Sequence, residues 1–287
     1  MERYLLRYFL AVVDQGSFSR AAAACNVSQP TLSVGIGKLE SLLGARLFVR
    51  ARQRMQLTEA GTRLLGHARR IEAEFNAAQR AVAQEQGSQD AGCRLGVLHS
   101  IAGATIASAV AAVPAEARHG IEILYGSERD LLGRLDRGRI DVALSLTGRG
   151  GARFPERTIL TEGYAIAITA AHPLAGRDEI GAEEIAGETM IVRRHCEALA
   201  ATSRHFTDRG VRPPFALRAT NDERVLQMVA AGLGLTVMPD SYVHDGVARP
   251  RLAGFTLRRS IGFLFGRDGC AAIADTLLLR AVEAALR

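Results

Sequence analysis

Two arginines, a histidine and a cysteine stand together as Arg193-Arg194-His195-Cys196, the run of this 287-residue chain best suited to chemistry. Cationic side chains beside a thiol, near the start of a helix expected over 197–209, favour the thiolate and predict a reactive sulfur. A small cysteine lining a ligand pocket fits the same run, and the residues alone leave both readings open. Groups suited to holding a small molecule recur at other strand ends: Ser100 and Ile101, Ser127 and Glu128, Thr147, and Asn221 with Asp222. Helix starts at Ser127 and Asn221, with Arg193 or Arg194 nearby, suit a small anion such as a carboxylate; each residue also reads as an ordinary helix cap.

Other chemistry finds little support. Cys25, Cys93, Cys196 and Cys270 are far apart, which speaks against a disulfide framework or a zinc site. The seven histidines, His67, His99, His119, His172, His195, His205 and His244, lack metal-ligand spacing. No nucleophile elbow or phosphate-cradling glycine loop is present, so neither catalysis nor a cofactor or metal is expected. No apolar run reaches the roughly 18 residues of a membrane span, and Glu2, Arg3 and Arg7 leave no signal-peptide core, so a cytoplasmic protein is expected.

The elements that would position these residues alternate. Strands are predicted at 95–98, 121–124 and 140–144, with helices at 105–113 and 127–137 between and around them, the pattern of a parallel sheet. A second block follows: strands at 164–168, 189–192, 216–220 and 235–239, and helices at 197–209 and 221–231. A strand at 261–265 and a helix at 271–286 close the chain. In open sheets, ligands sit at the carboxyl ends of strands, which is where the polar residues above fall.

The front of the chain differs. Ser17 or Ser19 caps a helix of small residues, Asn26 and Val27 make a turn, and Ser28 caps a second helix with Pro30 in its first turn. Leu32, Ile36, Leu39 and Leu43 form its buried stripe, and Leu6, Phe9, Leu10 and Val13 supply an earlier helix. Ser28, Gln29, Pro30, Thr31, Ser33, Val34 and Lys38 are left for base edges and phosphates. Predicted strands 47–50 and 55–58 make a wing bearing Arg50, Arg52 and Arg54, suited to phosphate contact. Residues 1–90 hold 12 Lys and Arg against 8 Asp and Glu, the rest 24 against 22, so the basic excess per residue lies at the front. A helix over 59–86 carries Gly61, Leu64, Ala68, Ile71, Phe75, Ala78 and Val82 three and four apart, a heptad seam most economically buried against a second copy, and residues 87–92 then form a hinge.

The text from Tyr8 to Arg50, with Gly16-Ser17-Phe18, Ala21-Ala22, Val27-Ser28-Gln29-Pro30, Leu32-Ser33, Leu39-Glu40 and Leu47-Phe48, followed by Leu57-Thr58 and Ala60-Gly61, resembles the LysR-type transcriptional regulators. The resemblance covers essentially the whole chain. It implies an α/β protein: an N-terminal winged helix-turn-helix (1–58), a linker and dimerisation helix with hinge (59–90), and a C-terminal two-lobed effector domain (91–287) of the type II periplasmic-binding-protein kind. Lobe I is expected at about 91–162 and 267–287, lobe II at about 163–266. The implied function is allosteric: a small-molecule effector in the inter-lobe cleft controls binding to double-stranded promoter DNA by a homodimer or homotetramer, with RNA polymerase open as a further partner. Many relatives carry a long polar or basic pair after the residue matching Ser33, whereas this chain has Val34 and Gly35, with Gly37 close behind; Val34 is placed to touch a thymine methyl. His195-Cys196 also resembles the family's peroxide-sensing branch, but His205 stands where that branch has its resolving cysteine. A sensor using Cys196 alone is the alternative reading.

Overall fold

The computed structural model describes residues 1–51, 54–84, 93–149, 153–266 and 275–287. The chain divides into two compact units, residues 1–91 with 132–140, and residues 92–131 with 141–287.

In the first unit, α1 (Arg3–Gln15), α2 (Phe18–Ala24) and α3 (Gln29–Leu43) enclose a core of Leu5, Leu6, Phe9, Leu10, Ala21, Ala22, Leu32, Ile36 and Leu39. The alanines of α2 let it cross its neighbours closely. Asn26 turns the chain at φ 56, a backbone region asparagine tolerates, and Ser28 caps α3 by accepting the Thr31 amide at 3.2 Å. Gly44 at φ 63 ends the helix. Leu43, expected in the buried stripe, is 42% exposed, because it is the last residue before that turn.

The wing is an antiparallel pair, β1 (Phe48–Ala51) and β2 (Arg54–Leu57). It is shifted by one residue from the predicted strands. Leu47 is drawn into the core instead, and the Thr58 hydroxyl accepts the Gly61 amide at 3.0 Å, opening α4 (Glu59–Gln84). The seam of α4 does not await a partner along its whole length: Ala68 is buried in the same core, with Leu64 and Ile71 packed against it. Gly61 belongs to the wing contact, since a β-carbon there would meet the Leu47 carbonyl oxygen at 2.3 Å. Only farther along do Phe75 and Ala78 stand exposed. The expected hinge, Arg52 and Cys270 lie outside the described residues.

The second unit comprises β3 (Arg94–Leu98), α5 (Gly103–Ala112), β4 (Glu122–Gly126), α6 (Glu128–Asp136), β5 (Val142–Leu146), β6 (Glu156–Glu162), β7 (Tyr164–Thr169), β8 (Glu179–Ile180), β9 (Met190–Arg193), α7 (Leu199–Asp208), β10 (Phe215–Ala219), α8 (Asp222–Ala230), β11 (Thr236–Pro239), β12 (Val247–Ala248), β13 (Arg251–Leu252), β14 (Arg259–Phe265) and α9 (Leu277–Leu286). Residues 132–136 of α6 are grouped with the first unit.

The first sheet runs β4-β3-β5-β14-β6, with β3 parallel to both neighbours and β14 antiparallel to β5 and β6. The second runs β11-β7-β13-β8, with β12 also on β7, and the parallel pair β9–β10 joins it through a bridge between Met190 and Leu235. Each sheet is the centre of a lobe, and the chain crosses between them at Gly163 and again between β13 and β14. The three strands read as parallel are so, and the crossing segments enter the same sheet as β6 and β14, with β14 antiparallel to both its neighbours. One expectation changes here. Residues 259–265, assigned by sequence to lobe II, pair in the sheet of lobe I.

Candidate functional site

In the first unit, α3 presents Gln29, Pro30, Ser33, Val34, Gly37 and Lys38 to solvent, with Val34 73% exposed. Periodicity explains the face: Leu32, Ile36 and Leu39 take the core side, leaving the intervening positions outside. The Ser28 and Thr31 hydroxyls lie 2.7 Å apart and serve the helix start. Lys38 reaches toward α1, with Nζ 2.9 Å from Glu2 Oε1 and 3.4 Å from the Tyr4 hydroxyl. That pair is exposed and contributes little stability, so the ammonium is easily redirected. Gly35 and Gly37 differ in kind. A β-carbon at Gly35 would meet the Tyr8 ring at 2.6 Å, so α1 requires this glycine; at Gly37 it would meet nothing within 4 Å. The backbones of Arg50 and Arg54 lie in the wing strands, and Arg46 beside them is exposed.

In the second unit, the polar centre lies between the lobes. Ser100, just past β3, donates to Glu197 Oε2 at 2.8 Å. Tyr164, at the start of β7, donates to Glu197 Oε1 at 2.8 Å, and Arg259, at the start of β14, donates to the same oxygen at 2.5 Å and to the Ser100 hydroxyl at 3.0 Å. Arg259 Nε also donates to Glu162 at the end of β6, at 2.8 Å, while Glu162 accepts the Ser241 amide. Ser100 and Arg259 are buried, at 1% and 5% exposure. Burial alone would raise the Glu197 carboxyl, but Arg259 and the Ser100 and Tyr164 hydroxyls outweigh it and hold it below its ordinary value.

A second bond spans the lobes at the rim, where the Gly103 amide at the start of α5 donates to Glu223 Oε1 of α8 at 2.8 Å. Nearby the rings of His99 and His195 face each other, centroids 5.5 Å apart. Burial and His195 hold the His99 imidazole below its ordinary value.

Arg193 is fully engaged. It pairs through two nitrogens with Asp222, and its third donates to the Val237 carbonyl at 3.0 Å and to Cys196 Sγ at 3.1 Å. The expected thiolate does not follow. Burial raises the Cys196 thiol and outweighs the lowering by Arg193, whose charge Asp222 already offsets. Arg194 and His195 are exposed, and α7 begins at Leu199 rather than at the cysteine. His205, nine residues on, is a buried side chain against Phe255, with Arg209 Nη1 3.1 Å from its Nδ1. The thiol borders a groove of about 1000 Å³ between α7 and β9–β10, lined by Leu199, Phe206, Phe215 and Arg218 among others.

The other sequence candidates separate. Ile101 is core, Ser127 accepts the Asp130 amide as the cap of α6, Glu128 pairs with Arg149, and Thr147 meets Thr158 at 2.8 Å. Asn221 caps α8 through the Arg224 amide, and Asp222 is the partner of Arg193. At both helix starts expected to suit an anion, the chain's own side chain caps the helix. Glu162, Tyr164, Glu197 and Arg259, which make the centre, were not read from the sequence. Adjacent Arg258 and Arg259 just before an apolar strand were the only local sign. Among the described residues, no three His, Cys, Asp or Glu side chains converge as a metal site, and no helix is long and apolar enough to cross a membrane.

The family described as "Bacterial regulatory helix-turn-helix protein, lysR family" matches residues 4–62, and "LysR substrate binding domain" matches residues 86–269. A probable hydrogen peroxide-inducible genes activator of Mycobacterium avium is 34% identical, over 92% of this chain and 88% of its own length. The DNA-binding transcriptional dual regulator OxyR of Escherichia coli is 28% identical, over 91% of this chain and 88% of its own. Among solved structures, a full-length OxyR variant of Pseudomonas aeruginosa covers 99% of this chain and 98% of its own, with a TM-score of 0.57 at 21% identity, a likeness of fold.

Proposed function

The chain belongs to the LysR family of bacterial transcriptional regulators, and from that premise we propose how its parts divide the work. It is a DNA-binding regulator, not an enzyme. Residues 1–58 read double-stranded promoter DNA through Gln29, Ser33 and Val34, with Ser28, Pro30 and Thr31 setting the helix start and Lys38, Arg50, Arg52 and Arg54 contacting phosphate. Residues 59–90 join protomers, with the exposed Phe75 and Ala78 as the contact, and 91–287 sense a small-molecule effector between the lobes. The protein works in the cytoplasm. The observation that carries the reading is a helix whose outer face, with Gln29, Ser33, Val34 and Lys38, is uncovered beside an arginine-bearing wing, on a packed three-helix core. The test is binding of selected duplex DNA against salt. Affinity falls steeply, by about one power of salt for each phosphate neutralised. A nearly flat dependence overturns phosphate contact by the wing.

The peroxide-inducible relatives favour a second reading for the sensing unit, a thiol switch at Cys196. Peroxide would convert the thiol to a sulfenic acid with release of water. Gain of one oxygen at Cys196 together with altered DNA binding supports it; full response retained in Cys196→Ser removes it.

A further inference from the structure

Between the lobes, a side-chain carboxylate of this chain is held by donors from both of them. Three donors from three separate segments converge on Glu197: the Ser100 hydroxyl, the Tyr164 hydroxyl and Arg259 Nη1. Glu197 is carried by the loop between β9 and α7, in lobe II, while Ser100 and Arg259 belong to the sheet of lobe I. At the rim Glu223 does the same, reaching from α8 to the amide that opens α5. Glu197 and Glu223 are thus side-chain carboxylates of this chain, each held by a donor from the other lobe.

Charge balance does not require Glu197. Arg259 already has a buried counter-ion, since Glu162 lies 2.7 Å from its Nη2. A buried ion pair is weak support for stability in its own right. Without the Glu197 side chain, Arg259 would remain paired, and a pocket the size of a short carboxylic acid would open, lined by two hydroxyl donors and one guanidinium nitrogen.

We propose that these donors form a carboxylate receptor with Glu197 as its resident ligand, and that an effector bearing a carboxylate acts by taking its place. Displacing Glu197 removes its ties to Ser100 and Arg259 and frees the loop that also carries Cys196, so occupancy of the site is coupled to the tie between the lobes. The inference rests on reading the cleft as the sensing site.

The test is a titration of the full-length protein with acetate against chloride at equal ionic strength, read as thermal stability. Glu197→Ala gains a saturable rise in Tm with acetate, because a ligand held by the native state stabilises it. The wild type, whose own tethered carboxylate competes for the same donors, responds only at higher acetate. Adding Ser100→Ala to Glu197→Ala weakens acetate binding by about tenfold or more, the usual effect of losing a hydrogen bond to a charged group. Should Glu197→Ala not fold, Glu197→Ser carries the same expectation. An acetate response equal in wild type and variant, or none in the variant, overturns the proposal. DNA binding by the same samples separates the two readings: a variant that binds DNA but ignores acetate refutes the internal ligand alone, whereas a wild type that binds no DNA at any salt refutes the regulator.

Discussion

Val34 is an apolar side chain on the outer face of α3, where nothing in the unit covers it. In the proposed reading it touches a thymine methyl of the bound DNA. Val34→Ala is expected to lower discrimination at a thymine-containing position by on the order of 1 kcal/mol, the scale of burying a methyl group or two, with general affinity retained. Competition between operators substituted one base pair at a time measures this; unchanged ranking at every position removes the role. Cys196 carries the opposite lesson, since its neighbours suggested a lowered thiol and burial raises it instead. Because the folded protein raises this thiol, the thiolate fraction at neutral pH is below that of a free cysteine. Alkylation by iodoacetamide, followed site by site, should therefore still be accelerating above pH about 8.5, the ordinary thiol value. A plateau below that pH contradicts the burial argument.

At the scale of elements, the glycines near the reader divide by what they face. Gly61 begins α4 against the Leu47 carbonyl, so Gly61→Ala forces backbone apart and lowers Tm. Gly37 faces open space, and Gly37→Ala should raise stability by about 1 kcal/mol, the helix propensity difference. Denaturant unfolding of the two variants compares them directly, and a stabilised Gly61→Ala would mean that α4 does not pack on the wing as described. The same contact explains why the heptad pattern of α4 was only half informative. A stripe spaced three and four apart says that a helix has an apolar face, but its first half faces Leu47 and the core of its own unit. Strand edges were misplaced by similar competition: Leu47 reads as strand until the core claims it.

At the scale of the whole sensing unit, Arg259 joins β14 to the end of β6 and to the loop before α7. Arg259→Met leaves Glu162 and Glu197 buried without their cation, a loss of about 3–5 kcal/mol. In the wild type the Glu197 carboxyl is held low, so its stabilising share is present above the ordinary carboxylate range and is lost as pH falls through the folded value. The penalty of Arg259→Met should accordingly be smaller at pH about 5 than at pH about 7.5, because protonation relieves the unpaired carboxylates; an equal penalty at both would show that charge is not the cause. By itself the sequence determined the three-helix reader, its turn and the Ser28 cap, and most strands and helices of the sensing unit, because caps, turns and periodicity act within a few residues; Ser17, read as a cap of α2, makes no side-chain cap bond. Tertiary structure alone decided that β14 enters the first sheet and that Arg259 meets Glu197, Glu162 and Ser100, which lie 62, 97 and 159 residues away along the chain. Which buried charges converge depends on where crossing strands bring them, and no local propensity encodes that.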